Sequence, residues 1–109
     1  MKANWHLVAD IGGTNARFSA VLQGQLESAY EFHYSVEEYP EFTELIGKLL
    51  IEIAQATGWN NPPLNACFAV ACPADTDLIT FTNSHWTFTK GALKDALDCQ
   101  NLTVINDFE

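Results

Sequence analysis

Apolar positions gather in two short stretches near the N-terminus. Trp5–Asp10 reads as a short buried strand, and Ala16–Leu22 as a second one in which Phe18, Ala20 and Leu22 alternate with Ser19 and Val21. Between them lies Ile11-Gly12-Gly13-Thr14-Asn15. Gln23-Gly24-Gln25 makes another tight turn, and Leu26–Tyr34 continues as a third strand, so the first third of the chain is an antiparallel meander. The period then changes from two to 3.6. Phe42, Leu45, Ile46, Leu49, Ile53 and Ala54 form the apolar stripe of a surface helix. Pro40 suits its first turn, Glu41 and Glu44 its positive N-terminal end, and Gly58 its stop.

After a loop marked by Pro62-Pro63, Asn65–Ala71 carries small and apolar residues on both faces, as a buried parallel strand does. Cys72-Pro73 ends it, Asp75-Thr76-Asp77 turns, and Leu78–Thr82 is a short strand running into Asn83-Ser84-His85-Trp86. Thr89 can N-cap a helix over Lys90–Asp98, with Ala92, Leu93, Ala96 and Leu97 facing inward. Leu102–Asn106 is a last strand, followed by Asp107. This order favours parallel pairing in the later part, with right-handed crossovers. The expected class is α/β: a mixed five-stranded sheet of three antiparallel and two parallel strands plus a small hairpin, with helices on the sheet faces. That is the ribonuclease H-like arrangement, also the half-domain of actin-like ATPases, and it does not by itself give a function.

Composition narrows the function classes. The 109 residues suit one domain, and 48% apolar residues suffice for a core, which argues against disorder. Five Lys and Arg against 14 Asp and Glu give a net charge of −9. The cations, Lys2, Arg17, Lys48, Lys90 and Lys94, are scattered, so no basic surface for nucleic acid is expected. An anionic ligand would therefore be held by backbone amides or a metal ion. Cys67, Cys72 and Cys99 form no CxxC pair and read as small core residues rather than a disulfide framework or zinc site. No stretch has the length of a membrane span, and no signal peptide is apparent, so a cytoplasmic location is expected.

Two places offer chemistry. In Asp10-Ile11-Gly12-Gly13-Thr14-Asn15, adjacent glycines at a strand-to-strand turn let backbone amides approach a phosphate. Thr14 and Asn15 add neutral donors, and Asp10 can orient the water shell of a phosphate-bound Mg²⁺. The same glycine pair also fits an ordinary hairpin turn, and it is neither a Walker loop nor a dinucleotide fingerprint. Asn106-Asp107 ends a parallel strand, where α/β sheets place their ligand crevice; a carboxylate there can take a proton from a hydroxyl nucleophile. His6, His33 and His85 show no metal-ligand spacing, and Trp86 reads as a core or hinge aromatic.

Taken in order, Leu7-Val8-Ala9-Asp10-Ile11-Gly12-Gly13-Thr14-Asn15-Ala16-Arg17, Ala69-Val70-Ala71-Cys72-Pro73, Thr82-Asn83-Ser84-His85-Trp86 and Val104-Ile105-Asn106-Asp107-Phe108 resemble the bacterial glucokinase family in identity and spacing. The resemblance implies transfer of the γ-phosphoryl group of ATP, with Mg²⁺, to the 6-hydroxyl of glucose, the first step of glycolysis. It makes Ala9, Asp10, Ile11, Gly12, Gly13 and Thr14 the ATP phosphate loop. Asp107 matches the catalytic base and Asn106 a residue that binds sugar hydroxyls. Asn83–Trp86 matches a motif near the sugar cleft, with no direct contact assigned.

The family has a second, larger domain and a returning terminal helix that these residues do not include. The expectation is an N-terminal small domain, inactive alone, that self-associates as a homodimer through a face left uncovered. Two rivals share the fold. A ribonuclease H-like nuclease could use Asp10 and Asp107, although it needs more carboxylates and a basic groove. A stand-alone sugar-sensing module would bind glucose without turnover.

Overall fold

The computed structural model describes residues 3–24, 30–72, 74–81 and 86–106. Strand β1, Trp5–Ile11, pairs antiparallel with β2, Asn15–Leu22, which pairs antiparallel with β3, Tyr30–Ser35. Helix α1, Phe42–Thr57, then crosses to β4, Asn65–Val70, which lies parallel to β1. A two-stranded excursion, β5 Leu78–Thr80 with β6 Thr87–Thr89, leads into helix α2, Lys90–Leu97, and β7, Asn101–Asn106, parallel to β4. The main sheet order is β3-β2-β1-β4-β7, so three antiparallel and two parallel strands form the expected mixed sheet. The meander is as read, with the described part of its third strand beginning at Tyr30 and residues 26–29 of the expected strand lying outside the described residues.

Both helical crossovers step the same way across the sheet, from β3 past β2 and β1 to β4, and from β4 to β7. Right-handed connections that advance in one direction place their helices on the same face. The helices accordingly share one face of the sheet rather than covering both. Leu7, Ala9, Ile11, Phe18, Ala66, Phe68 and Val70 are buried beneath them, while Val8, Asp10 and Ile105 on the opposite face are exposed. This corrects the reading of β4 as buried on both sides: Cys67 and Ala69 are only half-buried, and of the three cysteines only Cys72 and Cys99 are core residues.

The α1 stripe is as read, burying Phe42, Leu45, Ile46, Leu49 and Ile53. Each such side chain contributes about 1.5–3 kcal/mol on burial. Gly58 stops the helix with φ 83°, its amide donating to the Ala54 carbonyl at 2.8 Å. Pro40 sits just before the start rather than in the first turn, because Glu41 is still extended at φ −119°. Thr89 caps α2, its hydroxyl accepting from the Ala92 amide at 3.0 Å. Leu93 and Leu97 face inward, but Ala92 is exposed, and Asp98 leaves the helix in a left-handed conformation.

Trp86 is a core residue: it is buried beside Phe42, and its indole Nε1 donates to the Tyr39 carbonyl at 2.7 Å. Phe42 also stacks on Phe88 with ring centroids 4.3 Å apart. At the start of the chain, the Asn61 amide accepts from the Ala3 N–H and donates to the Ala3 carbonyl, holding the entry to β1. Among the described residues, no helix is long and apolar enough to cross a membrane.

Candidate functional site

The turn between β1 and β2 is closed by one backbone bond, from the Gly12 amide to the Asn15 carbonyl at 2.9 Å. A second bond, from the Val36 amide to the Thr14 carbonyl at 3.0 Å, ties the turn to the end of β3. The Gly12 amide is therefore committed to the fold. Among the described residues, the amides of Gly13 and Thr14 meet no backbone acceptor and are the donors left for a ligand.

The glycines are not those of a tight two-residue hairpin turn. Tight two-residue hairpin turns place glycine at positive φ. Here the described glycines with positive φ are Gly24 and Gly58, not Gly12 or Gly13. Nor does crowding within the protein demand glycine at position 12: a β-carbon there would meet only the Asn15 carbonyl oxygen, at an ordinary 3.6 Å. A missing side chain that the fold itself does not require leaves room for something from outside.

Asp10, Gly12, Thr14, Asn15 and Arg17 line an open polar cavity of 250 Å³ at this turn. The hairpin register explains the grouping, since Asp10 lies opposite Arg17 and both point to the helix-free face. Arg17 is the residue that charge counting missed. Its cation looked scattered in sequence, yet closing the hairpin brings it to the glycine turn. The signal was available in the alternation, which puts Asp10 and Arg17 on one face once Ile11 pairs with Ala16. Ala9 and Ile11, in contrast, bury their side chains in the core, so only their backbone borders the site.

Asn106 ends β7 opposite Val70, which in turn lies opposite Ile11. The C-terminal ends of the three parallel strands thus fall on one edge of the sheet, with Asn106 two strand spacings, about 10 Å, from the glycine turn. Asn106 is half-buried and does not line the polar cavity. Asp107 lies outside the described residues, as do Thr82, Asn83, Ser84 and His85 of the third motif and Pro73 of the second. Among the described residues, no three His, Cys, Asp or Glu side chains group as a metal site.

Behind the turn, Tyr34 is buried on the core face of β3 and its hydroxyl donates to the Glu52 carboxylate on α1. Burial, followed by that bond, raises the Tyr34 hydroxyl well above its ordinary pKa, so it stays a neutral donor. Lys48 lies over the Tyr39 ring at 5.5 Å, and its interaction with Tyr39 raises its pKa. These contacts pin β3, and through Val36 the glycine turn, to the helix layer.

A family model described as Glucokinase matches residues 7–109. A glucokinase from Colwellia psychrerythraea is 39% identical over 103 residues, covering 94% of this chain and 30% of the relative. The solved glucokinase of an Antarctic psychrotroph superimposes with a TM-score of 0.80 at 30% identity, covering 96% of this chain and 33% of that one. A Balamuthia mandrillaris glucokinase solved with glucose shares the fold at a TM-score of 0.70 and 20% identity, over 97% of this chain and 30% of that one. The chain spans about 30% of the length of the curated relatives it matches. From its motifs, its sheet order and these matches, the chain belongs to the glucokinase family.

Proposed function

We propose that these residues form the N-terminal small domain of a cytoplasmic glucokinase, which transfers the γ-phosphoryl group of Mg·ATP to the 6-hydroxyl of glucose once a larger C-terminal domain completes the cleft. The observation that carries this reading is the polar cavity at the β1–β2 turn, built around a glycine whose missing side chain the fold does not need. In this role the Gly13 and Thr14 amides and the Thr14 hydroxyl donate to phosphate oxygens. Arg17 offsets phosphate charge that a chain of net charge −9 would otherwise repel. Asp10 orients water on the Mg²⁺ that accompanies the nucleotide, a cation that keeps several waters and takes few protein ligands. Ala9 and Ile11 fix the strand end from which the loop springs.

Asp107, next along from the end of β7, takes the proton from the sugar hydroxyl as it attacks, and Asn106 holds a neighbouring hydroxyl. Phosphoryl transfer is accelerated mainly by positioning and by electrostatic stabilisation. A cradle of amides and one cation at a rigid sheet edge suits that demand. The nuclease alternative is weaker, because the helix-free face mixes Asp10, Arg17, Glu31 and His33 rather than offering a basic groove.

A coupled glucose-phosphorylation assay on the complete protein encoded by the reading frame that carries these residues tests the reading. Glucose- and ATP-dependent turnover is expected of it, and none of the 109 residues alone; turnover by the isolated chain would overturn the division of labour. The isolated chain is also expected to self-associate through the helix-free face, where Val8 and Ile105 are each 48% exposed. A clean monomer by sedimentation at high concentration contradicts that.

A further inference from the structure

Side-chain hydrogen bonds link His33, Asn15 and Thr14 around the glycine turn. The His33 Nε2 lies 3.0 Å from the Asn15 Oδ1, and the Asn15 Nδ2 donates to the Thr14 Oγ1 at 3.1 Å. An amide oxygen only accepts, so this arrangement takes His33 in the tautomer that carries its proton on Nε2. That bond sets which way the Asn15 amide faces: its NH₂ group turns to Thr14 and occupies a lone pair of the hydroxyl. The Thr14 proton is then free to point into the cavity as a donor. With the amide reversed, Thr14 would give its proton to Asn15 and present lone pairs to an approaching anion, which repels it.

His33 is placed for this by the sheet and not by a loop. It lies opposite Arg17 in the β2–β3 register, on the helix-free face beside Glu31 and Asp10. The turn backbone is held separately, by the Gly12–Asn15 and Val36–Thr14 bonds. His33 is thus dispensable for the shape of the turn but not for the direction of its hydroxyl.

We propose that His33 is a positioning residue: by donating to Asn15, it holds the Thr14 hydroxyl as a hydrogen-bond donor to a phosphate oxygen of the bound nucleotide. This deepens the kinase reading and rests on it. Neither composition nor motif spacing singles out His33; the pairing of β2 with β3 does.

The test uses steady-state kinetics of the complete protein with His33→Leu, His33→Gln, Thr14→Val and the His33→Leu/Thr14→Val double variant, each checked for an unchanged melting temperature. A single hydrogen bond of this kind is expected to change KM for Mg·ATP about fivefold. His33→Leu should raise it by that factor while kcat changes less than about twofold. His33→Gln, which keeps an N–H donor, should restore KM to near wild type. In the Thr14→Val background, His33→Leu should add nothing, because the hydroxyl it orients is gone. If Thr14→Val raises KM but His33→Leu does not, or if the two effects multiply, the positioning role is overturned while the phosphate-turn reading stands. If Thr14→Val leaves KM unchanged, the phosphate-turn reading falls and the role of His33 falls with it.

Discussion

The Gly12 amide donates to the Asn15 carbonyl at 2.9 Å, and this bond closes the turn without requiring a glycine at position 12. Gly12→Ala therefore separates fold from function. The added methyl meets only the Asn15 oxygen at 3.6 Å, so unfolding free energy should change by less than about 1 kcal/mol. The same methyl intrudes where a phosphate would approach, and KM for Mg·ATP in the complete protein should rise at least about tenfold, a loss of about 1.4 kcal/mol. A variant with unchanged KM would show that the space at position 12 serves no ligand.

The aromatic cluster beneath the sheet makes a second, purely structural prediction. Phe42 touches Phe68, Trp86 and Phe88, joining α1 to the main sheet and to the β5–β6 hairpin. Phe42→Ala leaves a cavity among large rings and should cost about 3–5 kcal/mol by urea denaturation. A loss below about 1 kcal/mol would mean that the hairpin and helix are held together by something other than this ring.

The alkaline limit of stability follows from buried acids. Burial, and then the bond to Glu52, raises the Tyr34 hydroxyl, and burial raises the thiols of Cys72 and Cys99. For a group that is neutral when protonated, a raised folded-state pKa means that the unfolded chain loses its proton first. The stabilisation is intact below the unfolded values, about 8.5 for cysteine and 10 for tyrosine, and is lost as pH rises through the folded ones. The urea midpoint of the chain should be flat from pH 7 to about 8 and fall towards pH 11. Tyr34→Phe should start lower, having lost the bond to Glu52, and fall less steeply above about pH 10. Parallel profiles for the two proteins would contradict the assignment.

Periodicity made the strands and both helices legible because each needs only a local pattern: the alternation of Phe18 and Ala20, the stripe from Phe42 to Ile53, the Thr89 cap. The single-faced helix layer was not legible from the same patterns. Small residues such as Cys67 and Ala69 fit a half-covered face as well as a covered one, and only the order of strands in the sheet decides between them. The glycine turn stood out by motif, but its internal bonding did not: the amide of Gly12 is used by the fold, while among the described residues those of Gly13 and Thr14 meet no backbone acceptor. Cross-strand register, not sequence distance, brings Arg17 and His33 to the turn, and only Arg17 left a trace in the alternation, on the same face as Asp10.

Under the proposed function, this end of the sheet serves phosphoryl transfer to glucose and Asp107 is the base. The most direct measurement is the rate of glucose-dependent ADP formation by the complete protein, wild type against Asp107→Asn, a substitution that keeps size and removes the proton acceptor. The wild type should turn over, and kcat should fall at least about a hundredfold in the variant, as expected for loss of a general base. KM for Mg·ATP should stay within about threefold, a change of less than about 0.7 kcal/mol in nucleotide binding. A wild-type protein that forms no ADP with glucose, or an Asp107→Asn variant that keeps its kcat, would contradict it.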